Sequence, residues 1–340
     1  MAEAARLLEV KDLSVDIATA DGVLHAVRNV GFSLNRSETL CIVGESGCGK
    51  SLTALALMGL LPHRARRSAS ILRFDDVDLL TQSPKTMRRL RGDRISMIFQ
   101  EPMTSLNPAF TIGDQIVDVL RQHRDVSTAQ ARERALQLFD RVGISAPQSR
   151  LRQYPHELSG GLRQRMLIAM ALMCGPDLLL ADEPTTALDV TIQAELLRLL
   201  AELQSELGMA MIFITHDLGL VSRIADRVVV MYAGEVVESA PVENLFEDPL
   251  HPYTQGLLAC LPVPGSTPRM GRLPSIPGVV PSLIGARTGC SFRDRCAFAV
   301  DACATGEISI GSADERHEYR CLRTPMENRA GRRRRQSART

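Results

Sequence analysis

One octapeptide limits this chain more than any other feature: Gly44-Glu45-Ser46-Gly47-Cys48-Gly49-Lys50-Ser51, which fits G-x-x-x-x-G-K-[ST]. A strand-like run, TLCIVG, leads into it, and LTALALMGLL, helical in pattern and stopped by Pro62, leads out. In that setting the glycines let the backbone turn its N–H groups inward onto phosphate oxygens, and the helix start adds partial positive charge. Lys50 is expected to reach the β- and γ-phosphates and Ser51 to bind Mg²⁺, with Glu45, Ser46, Cys48 and Leu52 completing the wall. The bland alternative, a tight turn that happens to hold a lysine, does not account for strand, loop and helix in this order.

The rest of the chain is read around that loop. LLEVKDLSVDIA and VLHAVRNVGFSL alternate as strands about a turn at Ala20-Asp21-Gly22, residues 71–80 look like a strand pair, and RISMIFQ reads as a short buried strand. Between about 112 and 174 the apolar spacing becomes helical. LLLADE is a buried parallel strand ending in two acids, VTIQAELLRLLAELQSELG a helix closed by Gly208, MAMIFITHD a strand, and RVVVMYAGEVVESA a hairpin around Ala233-Gly234. Strands alternating with helices predict an α/β fold with a mostly parallel sheet. Asp182, at the end of LLLADE, is the expected Mg²⁺ carboxylate, and Glu183 beside it the expected general base for an attacking water. Ser159-Gly160-Gly161, in LSGGLRQ, opens a second helix at which backbone N–H groups stand free for an anion.

GESGCGKS, LSGGLRQ and LLLADEPTTALD, in this order, resemble the nucleotide-binding subunit of an ABC transporter over roughly residues 5–250. The resemblance implies that Gln100 is the glutamine that senses Mg²⁺, that Thr186-Ala187-Leu188-Asp189 is the D-loop, and that His216 orients the γ-phosphate. It also implies head-to-tail pairing with a second ATPase subunit, identical or homologous, whose Ser159–Gly161 equivalent caps the nucleotide. Two departures stand out. Leu162 replaces the usual glutamine of the signature, and the aromatic that stacks on adenine is missing, with Ile17 or His25 in its neighbourhood.

IFQEPMTSLNP and HPYTQGLL narrow the resemblance to importers of dipeptides and oligopeptides, a branch that also takes nickel and glutathione. This implies two integral-membrane permease subunits and an extracytoplasmic substrate-binding protein as partners, at the cytoplasmic face of the membrane. No apolar run approaches the ~20 residues of a spanning helix, and no secretory signal is evident. The net charge of +1 gives no electrostatic case for nucleic acid. A non-transport ABC ATPase acting on nucleic acid or ribosomes is the competing expectation.

Beyond about residue 262 proline and glycine become dense, and four of the eight cysteines gather: Cys290, Cys296, Cys303 and Cys321, separated by five, six and seventeen residues. That spacing matches neither a C-x₂-C zinc pair nor a ferredoxin run, though four thiolates suit either metal. Resemblance to the C-terminal motif of dipeptide-importer ATPases implies a 4Fe-4S cluster, with Zn²⁺ the alternative and His317 a weaker candidate ligand. The expected organisation is a P-loop ABC-type domain at 5–255 with a helical subdomain at about 101–175, a cysteine-containing extension at 256–325, and a basic tail at 326–340, GRRRRQSART closing the chain.

Overall fold

The computed structural model describes residues 6–101, 105–186, 189–261, 275–285 and 288–330. Its strands are β1 (Arg6–Thr19), β2 (Gly22–Asn35), β3 (Thr39–Val43), β4 (Ala65–Ser68), β5 (Ile71–Phe74), β6 (Val77–Asp78), β7 (Ile95–Ile98), β8 (Leu178–Asp182), β9 (Ala210–Thr215), β10 (Arg227–Tyr232), β11 (Glu235–Pro241), β12 (Gly311–Asp314) and β13 (His317–Tyr319). They divide between two compact units, one built on residues 34–39 and 74–214 with the first few residues, the other on 9–33, 40–73 and 215–340.

In the first unit β7, β8 and β9 run parallel, with Ile95 opposite Leu178 and Leu178 opposite Ala210. Leu178, Leu179, Leu180 and Ala181 are wholly buried, as a strand covered on both faces requires. The helices around them start where the sequence puts caps. Thr111 caps Ile112–His123, and Ser127 forms a reciprocal capping box with Gln130 at Thr128–Arg141. Ala131, Ala135, Leu138 and Phe139 lie along the buried face of the latter, at the three- and four-residue spacing of a core stripe. Val190–Leu207 ends at Gly208 in the left-handed conformation, φ 61°.

In the second unit β3 pairs in parallel with β10, and β10 turns back antiparallel into β11. The turn is Ala233-Gly234, with φ of 48° and 82°, the pair of positive values that matches the twist of a two-residue hairpin. β1 pairs antiparallel with β4, a strand that the sequence pattern does not announce. The chain's last strands extend the same sheet: β13 lies antiparallel to β11, and β12 to β13. The cysteine-containing extension is thereby joined to the nucleotide-binding sheet by backbone hydrogen bonds, which the fading periodicity past residue 262 gave no reason to expect.

Candidate functional site

β3 delivers the chain into the Gly44–Ser51 loop, and the helix Lys50–Met58 leaves it, as the motif requires. Close packing makes two glycines obligatory. A Cβ on Gly44 (φ 155°) would lie 2.2 Å from the Met231 carbonyl oxygen, and one on Gly49 (φ 99°) 2.5 Å from that of Ala26. Lys50 is buried, and its Nζ donates to the carbonyls of Gly44 (2.8 Å) and Glu45 (3.1 Å). The ammonium thus sits inside the curl of the loop, the position from which it can transfer its hydrogen bonds to phosphate oxygens.

Glu45 is held from outside the loop. Its N–H donates to the Tyr253 hydroxyl (3.0 Å), and its carboxylate accepts from Arg295 Nη1 (3.0 and 2.9 Å). Neither partner is signalled by the sequence. HPYT reads as a proline-bounded turn, and Arg295 as one arginine of a polar stretch.

In the first unit, the end of β8 carries Asp182 and Glu183, 4% and 8% exposed. Glu183 adopts φ 45°, a left-handed conformation that costs a non-glycine residue of order 1 kcal/mol. Its N–H is satisfied by the Ile214 carbonyl, and its carboxylate accepts from Gln100 Nε2 (3.2 Å) and the Thr186 hydroxyl (2.9 Å). The expected Mg²⁺-sensing glutamine and the expected general base are therefore brought into direct contact. Asp182 and Gln100, both in this unit, offer oxygen donors, the chemistry that suits Mg²⁺.

Ser159 caps the helix Gly160–Ala171, its hydroxyl accepting from Leu162 N–H. Among the described residues nothing lies within 4 Å of where a Cβ on Gly160 would be, so on that side this helix start is open. Asp189 caps Val190–Leu207 through the Thr191 and Ile192 N–H groups (both 3.1 Å), while Ala187 and Leu188 lie outside the described residues, as does 331–340 of the basic tail. His216 is exposed just past β9. His25, near the expected adenine position, is engaged by Asp16 (2.7 Å).

The four C-terminal cysteines do converge: Cys290, Cys296, Cys303 and Cys321 line one cavity of about 20 Å³ together with Phe292 and Phe298. Burial pushes the Cys290 thiol up to about 11, reinforced by its neighbour thiols, and raises Cys321 as well, so these groups stand as neutral thiols. Among the described residues none of the four is in a disulfide, and no group of three or more His, Cys, Asp or Glu side chains has a metal-ligating arrangement. The donor types fit a soft metal, but the spacing of the sulfurs does not form a ligand shell.

His317 is not one of that set. It is 2% exposed, and its Nε2 is committed to Glu238 Oε1 at 2.8 Å. Glu238, wholly buried, also accepts from the N–H groups of Leu250 (2.6 Å) and His251 (2.8 Å). The expectation of His317 as a metal ligand fails because it does not line the cysteine cavity and its Nε2 is committed to this joint between β11, β13 and the start of the helix Pro252–Ala259.

His251 caps that helix, with Nδ1 accepting from Tyr253 N–H (3.1 Å). Burial, seconded by the charge of Arg320, lowers its pKa from 6.5 to about 3. Native His251 is neutral, and below pH 6.5 the unfolded chain takes up a proton that the native chain refuses. Its contribution is complete above pH 6.5 and is lost as pH falls toward 3, at about 1.4 kcal/mol per pH unit well below 6.5. Urea midpoints at pH 7 and 5 should separate more for the wild type than for His251→Asn; equal separations would contradict this.

Comparisons with known proteins follow the same lines. A family model described as ABC transporter matches residues 27–186, and one described as the C-terminal region of oligopeptide/dipeptide transporters matches 237–303. A peptide import ATP-binding protein of Brucella ovis is 51% identical over 327 residues, covering 93% of this chain and 97% of the relative. The oligopeptide transport ATP-binding protein OppD of Bacillus subtilis is 50% identical over 302 residues, 88% of this chain and 84% of OppD. Among solved structures, the dimeric post-hydrolysis ATP-binding cassette MJ0796, bound to ADP and phosphate, aligns with TM-score 0.62 at 25% identity, over 69% of this chain and 99% of that one. The cbiO1 component of a Clostridium perfringens ABC transporter complex aligns with TM-score 0.61 at 28% identity, over 72% and 92%.

Proposed function

We propose a working scheme for a chain that belongs to the ATP-binding proteins of the oligopeptide/dipeptide import family of ABC transporters. As such it is the ATP-binding subunit of a peptide importer, an ABC-type ATPase coupled to transport, and its ATPase unit is a dimer within a transporter complex. In the scheme, Ser159, Gly160 and Gly161 of one ATPase domain cap the γ-phosphate held by Gly44–Ser51 of the other. Glu183 accepts the proton of the attacking water, and His216 orients the γ-phosphate. Ser51, Gln100 and Asp182 would hold Mg²⁺, which when bound offsets phosphate charge; Asp189 belongs to the D-loop. The observation that carries this is the loop itself, with Lys50 already drawn into the place of a phosphate partner.

The expected assembly adds a second ATPase subunit, identical or homologous, two permease subunits and an extracytoplasmic substrate-binding protein, with this chain at the cytoplasmic face. Among the described residues no helix is long and apolar enough to cross a membrane; in the scheme the permeases form the passage. Di- or oligopeptides are the solute class, and the peptide-import relatives favour this over a non-transport ATPase acting on nucleic acid or ribosomes. The domain boundaries at 255 and 325 are retained in the scheme.

The cysteine cavity is proposed to take a 4Fe-4S cluster held by Cys290, Cys296, Cys303 and Cys321, with Zn²⁺ as the alternative. What supports it is four thiols lining one small cavity; binding would require the sulfurs to close in on the metal, and the raised pKa values of Cys290 and Cys321 mean that there it must also displace protons. When bound, it would cross-link the extension. One purification tests both levels. The complex should carry two membrane subunits and about four irons per copy of this chain. Absence of membrane partners would defeat the assembly, and stoichiometric zinc without iron would defeat the cluster.

A further inference from the structure

The first variable residue of the phosphate-binding loop is fixed at three points. The N–H of Glu45 is held by Tyr253, its carbonyl accepts from Lys50, and its carboxylate is held by Arg295, 250 residues away in sequence. The Arg295 side chain is 5% exposed. Its Nη1 also reaches the Tyr232 hydroxyl (3.3 Å), Nε donates to the Pro277 carbonyl (2.9 Å) and Nη2 to that of Ile276 (3.2 Å). The guanidinium lies 5.7 Å from the Tyr232 ring centre and 6.0 Å from that of Phe292, and these two rings pack with Tyr253 at 4.6 to 5.4 Å. The arginine is therefore locked by the extension on one side and offers its charge to the loop on the other.

We propose that Arg295 is a positioning residue for ATP: by clamping Glu45 it holds the phosphate-binding loop in its binding-competent shape, which makes the cysteine-containing extension a working part of the nucleotide site. The physical case has two parts. A glycine-rich loop loses more conformational freedom on ordering than other segments, and a clamp established before binding removes part of that cost. If only a fraction of molecules has the competent loop, the apparent dissociation constant rises by the inverse of that fraction. Second, Glu45 places a carboxylate at the edge of a site for a polyanion, and the charge-assisted contact with Arg295 offsets it. Arg295 directly precedes Cys296, so whatever orders or unseats that segment acts on the clamp too.

The inference rests on the loop being the ATP site, and wild-type binding is the control for that. The experiment measures affinity of the full chain for a fluorescent ATP analogue with Mg²⁺, and kcat and KM in the assembled transporter. Arg295→Met should raise Kd and KM for ATP about tenfold with kcat within twofold, and Arg295→Lys should recover part of the loss. Glu45→Gln should raise Kd about threefold. The double variant should stay near tenfold, because both changes break one contact, rather than reach the thirtyfold product of independent effects. An unchanged Kd in Arg295→Met, or a double variant at the product, overturns the proposal. Should Arg295→Met not fold, Glu45→Gln, which leaves the extension intact, decides alone: an unchanged Kd overturns it. A wild type that binds no ATP would instead count against the site.

Discussion

Replacing Glu183 with glutamine is expected to reduce ATP turnover by about 100- to 10,000-fold, the range associated with loss of a general base, and to leave ATP binding intact. The substitution preserves shape. Glutamine can hold the φ of 45° at no greater strain than glutamate, and its amide oxygen can still accept from Gln100 and the Thr186 hydroxyl. What it removes is the ability to take a proton from water at the end of β8. Stopped-time phosphate release with a parallel nucleotide-binding titration separates the two effects. Turnover within a factor of a few of wild type would dismiss Glu183 as the base. Loss of binding together with turnover would recast it as a structural residue that supports Gln100.

The second large effect concerns stability. Glu238→Ala should cost about 3–5 kcal/mol, since each buried donor left without a partner costs about 1–3 kcal/mol. Here three donors are stranded at once: the N–H groups of Leu250 and His251 and the ring of His317. None can turn to water, because Leu250, His251 and His317 are all buried. Glu238→Gln should cost less, since one oxygen is kept, while the new NH₂ faces a donor. Urea unfolding of the full chain measures both. A loss below about 1 kcal/mol for the alanine variant, the net worth of one ordinary hydrogen bond, would mean that the joint is not what holds β13 to β11. Because Tyr253 lies two residues past His251, the alanine variant should also loosen the Glu45 clamp.

Much of the site was legible before any tertiary contact. The loop Gly44–Ser51, the acids closing LLLADE and the Ser159 cap are each specified within a few residues, by φ preferences, capping chemistry or unbroken apolarity. The hairpin at Ala233-Gly234 was legible for the same reason. The reading failed where a residue's role is set by a distant partner. His317 looks like a spare ligand beside the cysteines and is instead the buried partner of Glu238, 79 residues earlier. HPYT looks like a turn, yet its tyrosine reaches the phosphate-binding loop, 208 residues earlier. β13 is three residues long and without a marked pattern, so only its pairing with β11 makes it a strand.

By itself, then, the sequence determined the strand–loop–helix shape around Gly44–Ser51 and the placing of two acids at the end of β8, because short-range backbone geometry and side-chain capping are local properties of a few adjacent residues. Only the tertiary structure decided that this loop is not self-sufficient. Arg295 and Tyr253 become its supports when β10, β11 and the extension bring them within 3.0 Å of Glu45. Such contacts form through burial and sheet pairing between segments hundreds of residues apart, and no spacing along the chain encodes them.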